Sequence, residues 1–141
     1  MIFLDTNILL YAICPGRDER AKAEIAREIL RRDDVALSVQ VLQEFYVQST
    51  RPPRSQPLSH AEATALIEVW LRFAVVELSV RLLQTALRLK DRYQTSYWDA
   101  AILAAATTAG CNELLSEDLN PGQSYDGVRV VNPFTGTSGA V

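Results

Sequence analysis

Histidine is nearly missing from this 141-residue chain, where His60 stands alone. Cysteine is scarce as well: Cys14 and Cys111 lie far apart, in no CxxC or Cys/His spacing. Neither a zinc site nor a disulfide framework is suggested, and both residues read as buried thiols of a reducing compartment. No apolar run approaches the roughly 20 residues needed to cross a bilayer; the richest small-apolar stretch covers only 100–106. The opening Met1-Ile2-Phe3-Leu4-Asp5 reaches an acid too early for a secretory leader. Neither sign of charge dominates, since 14 Lys and Arg face 17 Asp and Glu for a net charge of −3. That balance excludes a surface built throughout for polyanions. The expectation is a cytoplasmic protein with no membrane segment.

What is present is an ordinary globular composition, 48% hydrophobic and 22% charged, in a chain of one domain's length. Apolar runs at 2–4 and 8–11 flank Asp5-Thr6-Asn7, the pattern of a buried strand that ends in a polar turn and enters a helix. Residues 18–32 carry the pairs Asp18/Lys22 and Glu28/Arg32 at i,i+4, which predict a solvent-facing helix. A short strand at 35–37 is followed by Ser38 as a cap and a helix over 39–49, stopped by Pro52-Pro53. Residues 51–58, rich in proline, predict a loop between helices.

Farther on, Ser59-His60-Ala61-Glu62 has capping-box spacing and opens a helix to about residue 72. A strand over 73–78 comes next. Ser79 and Ser96 start two further helices, the second ending at Gly110. Strands at 113–116 and 128–131 complete the pattern, and residues 135–141 read as a disordered tail. Strands separated by helices, without hairpin signals, predict a parallel sheet covered on both faces.

In such a sheet ligands bind beyond the carboxyl ends of the strands. Asp5 and Asp118 occupy two of those ends, Glu44 follows the second strand by less than two helical turns, and Asp99 lies in the first turn of a helix. Each of four clustered carboxylates makes the next harder to ionise unless a cation sits among them. Oxygen donors without histidine or thiolate favour Mg²⁺ or Mn²⁺ over zinc, and such ions suit phosphoryl chemistry. Three of the acids also have an ordinary reading, Asp99 as a helix-start residue, Asp118 as a turn residue and Glu44 as a solvated helix acid, whereas Asp5 interrupts two apolar runs and is harder to dismiss. Arg51 and Arg54, then Arg17 and Arg20, are candidate phosphate contacts. Trp70 and Trp98 read as packing residues among apolar neighbours, and His60 as an exposed structural residue.

Four blocks resemble the PIN-domain nucleases, and among them the VapC-type toxins of toxin-antitoxin pairs. They are Leu4-Asp5-Thr6-Asn7-Ile8-Leu9-Leu10-Tyr11, Ser38-Val39-Gln40-Val41-Leu42-Gln43-Glu44-Phe45, Ser96-Tyr97-Trp98-Asp99-Ala100 and Leu115-Ser116-Glu117-Asp118-Leu119. They stand in the family's order and span nearly the whole chain. The resemblance implies a three-layer α/β/α sandwich with a mostly parallel central sheet, formed by a single nuclease domain over 1–134. It implies Mg²⁺ or Mn²⁺ held by Asp5, Glu44, Asp99 and Asp118, with Asn7 and Ser116 supporting them by hydrogen bonds and Glu117 in reserve for the fourth acid. It further implies RNA as substrate, an antitoxin whose C-terminal segment covers the acidic groove, and a homodimer. Two other readings stay in view: a PIN-like module that binds RNA or protein without catalysis, and a haloacid-dehalogenase-like phosphohydrolase. The latter requires a second acid where Asn7 stands.

Overall fold

The computed structural model describes residues 1–52 and 56–136. Arg54, one of the candidate phosphate contacts, and residues 137–141 of the expected tail lie outside the described residues. A six-stranded sheet is formed by β1 (Ile2–Leu4), β2 (Val35–Ser38), β3 (Ala74–Val76), β4 (Glu113–Leu115), β5 (Ser124–Tyr125) and β6 (Val128–Val131). Their order is β3-β2-β1-β4-β6-β5, parallel except for β5 against β6. The helices are α1 (Thr6–Ile13), α2 (Arg20–Leu30), α3 (Val39–Thr50), α4 (His60–Trp70), α5 (Val80–Tyr93) and α6 (Tyr97–Thr108). They flank the sheet in the three-layer α/β/α arrangement.

Every residue of β1 is buried, and this uninterrupted apolar strand takes the centre, paired with β2 on one side and β4 on the other. Ile2 aligns with Glu113 and Leu4 with Leu115. Strand order reverses between β1 and β4, so the crevice that parallel sheets offer to ligands opens beyond Leu4 and Leu115. Beneath it runs α6, whose residues Ala100 to Ala106 are all buried. Small side chains there let the helix lie close over β2, β4 and β6. Four serines begin helices as predicted: the hydroxyls of Ser38, Ser59, Ser79 and Ser96 accept from the backbone N–H three residues on, and Ser59 and Glu62 complete a capping box.

Four expectations need correction. A hairpin is present after all: Asp126 and Gly127, at φ 50° and 86°, turn β5 into β6. Both are left-handed, as a tight two-residue turn requires, and the Asp-Gly signal lies beside a strand of only two residues. Helix α2 begins at Arg20 and has an i,i+4 pair in Arg20 with Glu24 at 3.8 Å, but the residues of the two expected pairs choose other partners. Lys22 bonds Glu117, Glu28 bonds Arg31, and Arg32 bonds Asp34. Trp70 is buried against Phe45, but Trp98 is 65% exposed, because it stands in the first turn of α6, ahead of the buried run 100–106. Cys111 is buried while Cys14 is only half-buried.

Candidate functional site

Asp5 ends β1 and caps α1. Its backbone N–H donates to Leu115 O at 3.0 Å, tying it to the end of β4. One carboxylate oxygen accepts from the Thr6 N–H at 2.7 Å, and the other accepts from Ser116 Oγ, also at 2.7 Å. Ser116 is fully buried, so Asp5 is held from both strands at the topological switch. Thr6 then turns its hydroxyl to Glu44 Oε1 at 2.8 Å, which fixes the α3 acid against the start of α1. Asn7 Nδ2 donates to Asp118 Oδ2 at 3.0 Å, and the Asp118 N–H donates to Ser116 Oγ at 3.1 Å. Three consecutive residues, Asp5, Thr6 and Asn7, thus account for the placement of acids from β1, α3 and the loop after β4.

These acids border one depression of about 140 Å³, lined also by Asp99, Gln40, Gln48 and Trp98. Among the described residues that line it none is basic. Burial raises the Asp5 carboxyl from 3.8 to about 6; the bonds from Ser116 and Thr6 pull it down, and the charges of Asp118 and Glu44 push it further up. The site therefore carries like charges without a counter-charge of its own. Two buried polar atoms on the same depression lack a protein partner: Asn7 Oδ1, an acceptor, and Gln40 Nε2, a donor. An acceptor left over among carboxylates suits a cation, and an all-oxygen donor set suits Mg²⁺ or Mn²⁺. Among the described residues no three His, Cys, Asp or Glu side chains are already gathered as an ion-holding group. The acids share a basin whose chemistry fits a hard divalent ion, and the ion's inner shell is not preassembled.

The two acids in line for the fourth position differ sharply. Asp118 faces the depression, whereas Glu117 turns away to Lys22 Nζ at 2.7 Å and accepts from the Tyr11 hydroxyl. Burial alone would raise the Glu117 carboxyl, but its bonds to Lys22 and Tyr11 and the Lys22 charge hold it below the usual range. Arg51 lines the adjoining cavity of about 410 Å³ with Glu44, Gln40 and Trp98. Arg17, Arg20 and His60 are exposed, and none of the three lines the acidic depression. Sequence reasoning missed Gln40, Gln48 and Trp98 as lining residues. For Gln40, a polar residue one turn before Glu44 on the apolar side of α3 is the available signal.

The PIN domain family profile matches residues 2–122. Comparison with curated protein sequences finds no match. Among solved structures, the chain is similar to a toxin-antitoxin complex from Klebsiella pneumoniae, at a TM-score of 0.69 and 21% identity over 94% of this chain and 98% of the other. It is also similar to Mycobacterium tuberculosis VapC20, described as a Sarcin-Ricin loop cleaving toxin. That match has a TM-score of 0.64 and 21% identity over 84% of this chain and 92% of that one. FitAcB from Neisseria gonorrhoeae gives a TM-score of 0.61 and 21% identity over 96% and 99%. Together with the four acidic blocks spread from β1 to the loop after β4, the profile match over most of its length shows that the chain belongs to the PIN domain family.

Proposed function

We propose that this protein is a divalent-metal-dependent endoribonuclease acting as the toxin of a toxin–antitoxin pair. The observation that carries the reading is the basin itself. Four carboxylates from separate elements share it with an unpaired acceptor, and among the described residues that line it none is basic. Asp5, Glu44, Asp99 and Asp118 would hold Mg²⁺ or Mn²⁺, which supplies an activated water and charge stabilisation at a phosphodiester. The chain's own contribution is orientation. Ser116 and the Thr6 N–H fix both oxygens of Asp5, the Thr6 hydroxyl fixes Glu44, and Asn7 fixes Asp118. A carboxylate of this set takes the proton of the attacking water. Arg51, beside Glu44, contacts phosphate.

The toxin role is supported by the similar structures, among them a toxin-antitoxin complex and a Sarcin-Ricin loop cleaving toxin. Partners follow from two surfaces. An antitoxin segment would lie over the acidic basin and bring a cation to it. A homodimer would use the apolar surface where Leu78, Val80, Leu83 and Trp98 border a cavity of about 520 Å³. Among the described residues no helix is long and apolar enough to cross a membrane, which agrees with action in the cytoplasm on RNA. Residues 1–134 form the nuclease domain.

The test is cleavage of a mixed RNA pool by the purified, antitoxin-free chain in Mg²⁺ or Mn²⁺, with EDTA and an Asp99→Asn protein as controls. Fragments that vanish in both controls are expected. A folded protein that neither cleaves nor binds Mn²⁺ would overturn the reading in favour of the non-catalytic binding module.

A further inference from the structure

Three successive residues after β4 each send their side chain to a different anchor. Ser116 reaches Asp5, Asp118 reaches Asn7, and Glu117 between them leaves the basin for a cluster that the acidic site does not use. There Lys22 Nζ lies 2.7 Å from Glu117 Oε2 and 3.3 Å from the Tyr11 hydroxyl. The Tyr11 hydroxyl donates to Glu117 Oε1. The ammonium also stands over two rings, 4.9 Å from the centroid of Tyr11 and 5.8 Å from that of Phe134. Phe134 is itself buried and packs edge-on against Tyr11 at 5.0 Å. With side chains only 20% and 25% exposed, Lys22 and Glu117 form the most enclosed ion pair given by the described residues. The next in enclosure, Arg129 with Glu113 and Arg32 with Asp34, are at least about a third exposed on both sides. A pair so shielded is screened little and holds its geometry where a surface pair does not.

We propose that Lys22 and Tyr11 form a latch on Glu117 that positions Asp118 for the divalent ion and keeps Glu117 from becoming a fifth carboxylate of the basin. These are positioning residues. Residues 117–119 form a bend just after β4, and Glu117 shares a peptide bond with Asp118, so anchoring the Glu117 side chain outward fixes the backbone from which Asp118 reaches the basin. The anchor ties the loop to α1, to α2 and to Phe134 near the C-terminal turn. Without the cation, Glu117 keeps only a hydroxyl donor in a half-buried setting, where an unpaired carboxylate is disfavoured. It then leaves for water or for the ion, and the loop shifts with it.

This inference rests on the metal-nuclease reading, and the experiment separates the two. Mn²⁺ binding is measured by calorimetry on the wild-type chain and on Lys22→Met, Lys22→Arg and Tyr11→Phe proteins. Site-resolved amide exchange at 116–119 is measured in EDTA. Lys22→Met is expected to weaken Mn²⁺ binding about tenfold, as loss of a group that orients a ligand does, and to speed exchange of the Asp118 N–H. Lys22→Arg should restore both, and Tyr11→Phe should show a smaller loss in the same direction. Should Lys22→Met fail to fold, Tyr11→Phe against the wild type decides. Unchanged Mn²⁺ affinity and unchanged exchange at Asp118 in a folded variant overturn the latch and leave the metal reading standing. A wild-type chain that binds no Mn²⁺ overturns both.

Discussion

At the carboxyl ends of β1 and β4 the molecule gathers four carboxylates around a basin that, among the described residues, has no basic lining. On the outer face of α5, by contrast, Val80, Leu83 and Leu87 stand exposed with Leu78 nearby. Each region departs from what a free surface prefers. The first keeps like charges and a half-buried carboxylate together, which stabilises nothing until a cation arrives. The second leaves apolar area in water, which stabilises nothing until a partner covers it. Trp98 lies on the seam, lining both the acidic basin and the apolar cavity. Both regions are unfavourable in isolation, and under the proposed function the ligand of each differs: a hard ion with a polyanion on one side, an apolar protein surface on the other.

The contrast can be broken most strongly at the basin. Asp99→Asn removes one charge without removing bulk, and RNA cleavage is expected to drop by roughly 1000-fold while the circular dichroism spectrum stays as in the wild type. The second effect is on stability. The Asp5 carboxyl has an ordinary value of 3.8 and a folded value of about 6. Between those values the folded state holds a proton that the unfolded state has lost. Stability of the metal-free protein therefore falls as pH rises from about 4 to about 6, by roughly 3 kcal/mol, and is level above that window. Urea unfolding in EDTA across this range measures it, and Asp5→Asn should flatten the profile. Added Mn²⁺ should recover the lost stability above pH 6, which is the linkage expected of a ligand that binds only the folded state.

The apolar side responds next. Leu87→Glu places a charge in the exposed stripe of α5 and is expected to weaken self-association about 30-fold, read by sedimentation equilibrium, with Mn²⁺ binding unchanged. Smallest is Ser79→Ala, which removes the hydroxyl that accepts from the Leu82 N–H. A loss of about 1 kcal/mol is expected on denaturant unfolding, with no change in metal affinity. A Ser79→Ala protein that lost metal binding would show the two regions to be coupled through α5 and α6.

Much of this division was readable before any coordinates. Asp5 between two apolar runs, and serines three residues ahead of good helix starts, are local signals: a buried strand and a cap are decided by neighbours in sequence. The acid blocks were legible for the same reason, since each lies at the end of an element. What could not be read is whatever depends on the third dimension. Lys22 has an acid four residues earlier and still bonds Glu117, because a half-buried partner holds it better than an exposed one. Trp98 has apolar neighbours along the chain, yet it stands in the first turn of α6, ahead of the buried run 100–106, and is exposed. The β5–β6 hairpin was missed because two residues carry no alternation. The separate fates of Glu117 and Asp118, adjacent and alike in type, follow from which anchors α1 and α2 present. No spacing rule reaches that far.

The central position of β1 has a consequence for the order of events in the cell. Asp5 is synthesised well before the Ser116 hydroxyl and the Leu115 carbonyl that hold it, which are separated from it by 111 and 110 positions of chain. A loop that long closes slowly, since its entropy is lost before the contacts that compensate for it form. The basin therefore cannot exist on a partly synthesised chain that still lacks β4. Whatever chemistry it performs begins only after β4 and residues 116–118 have left the tunnel, and a truncation anywhere before residue 113 removes the site together with the middle of the sheet.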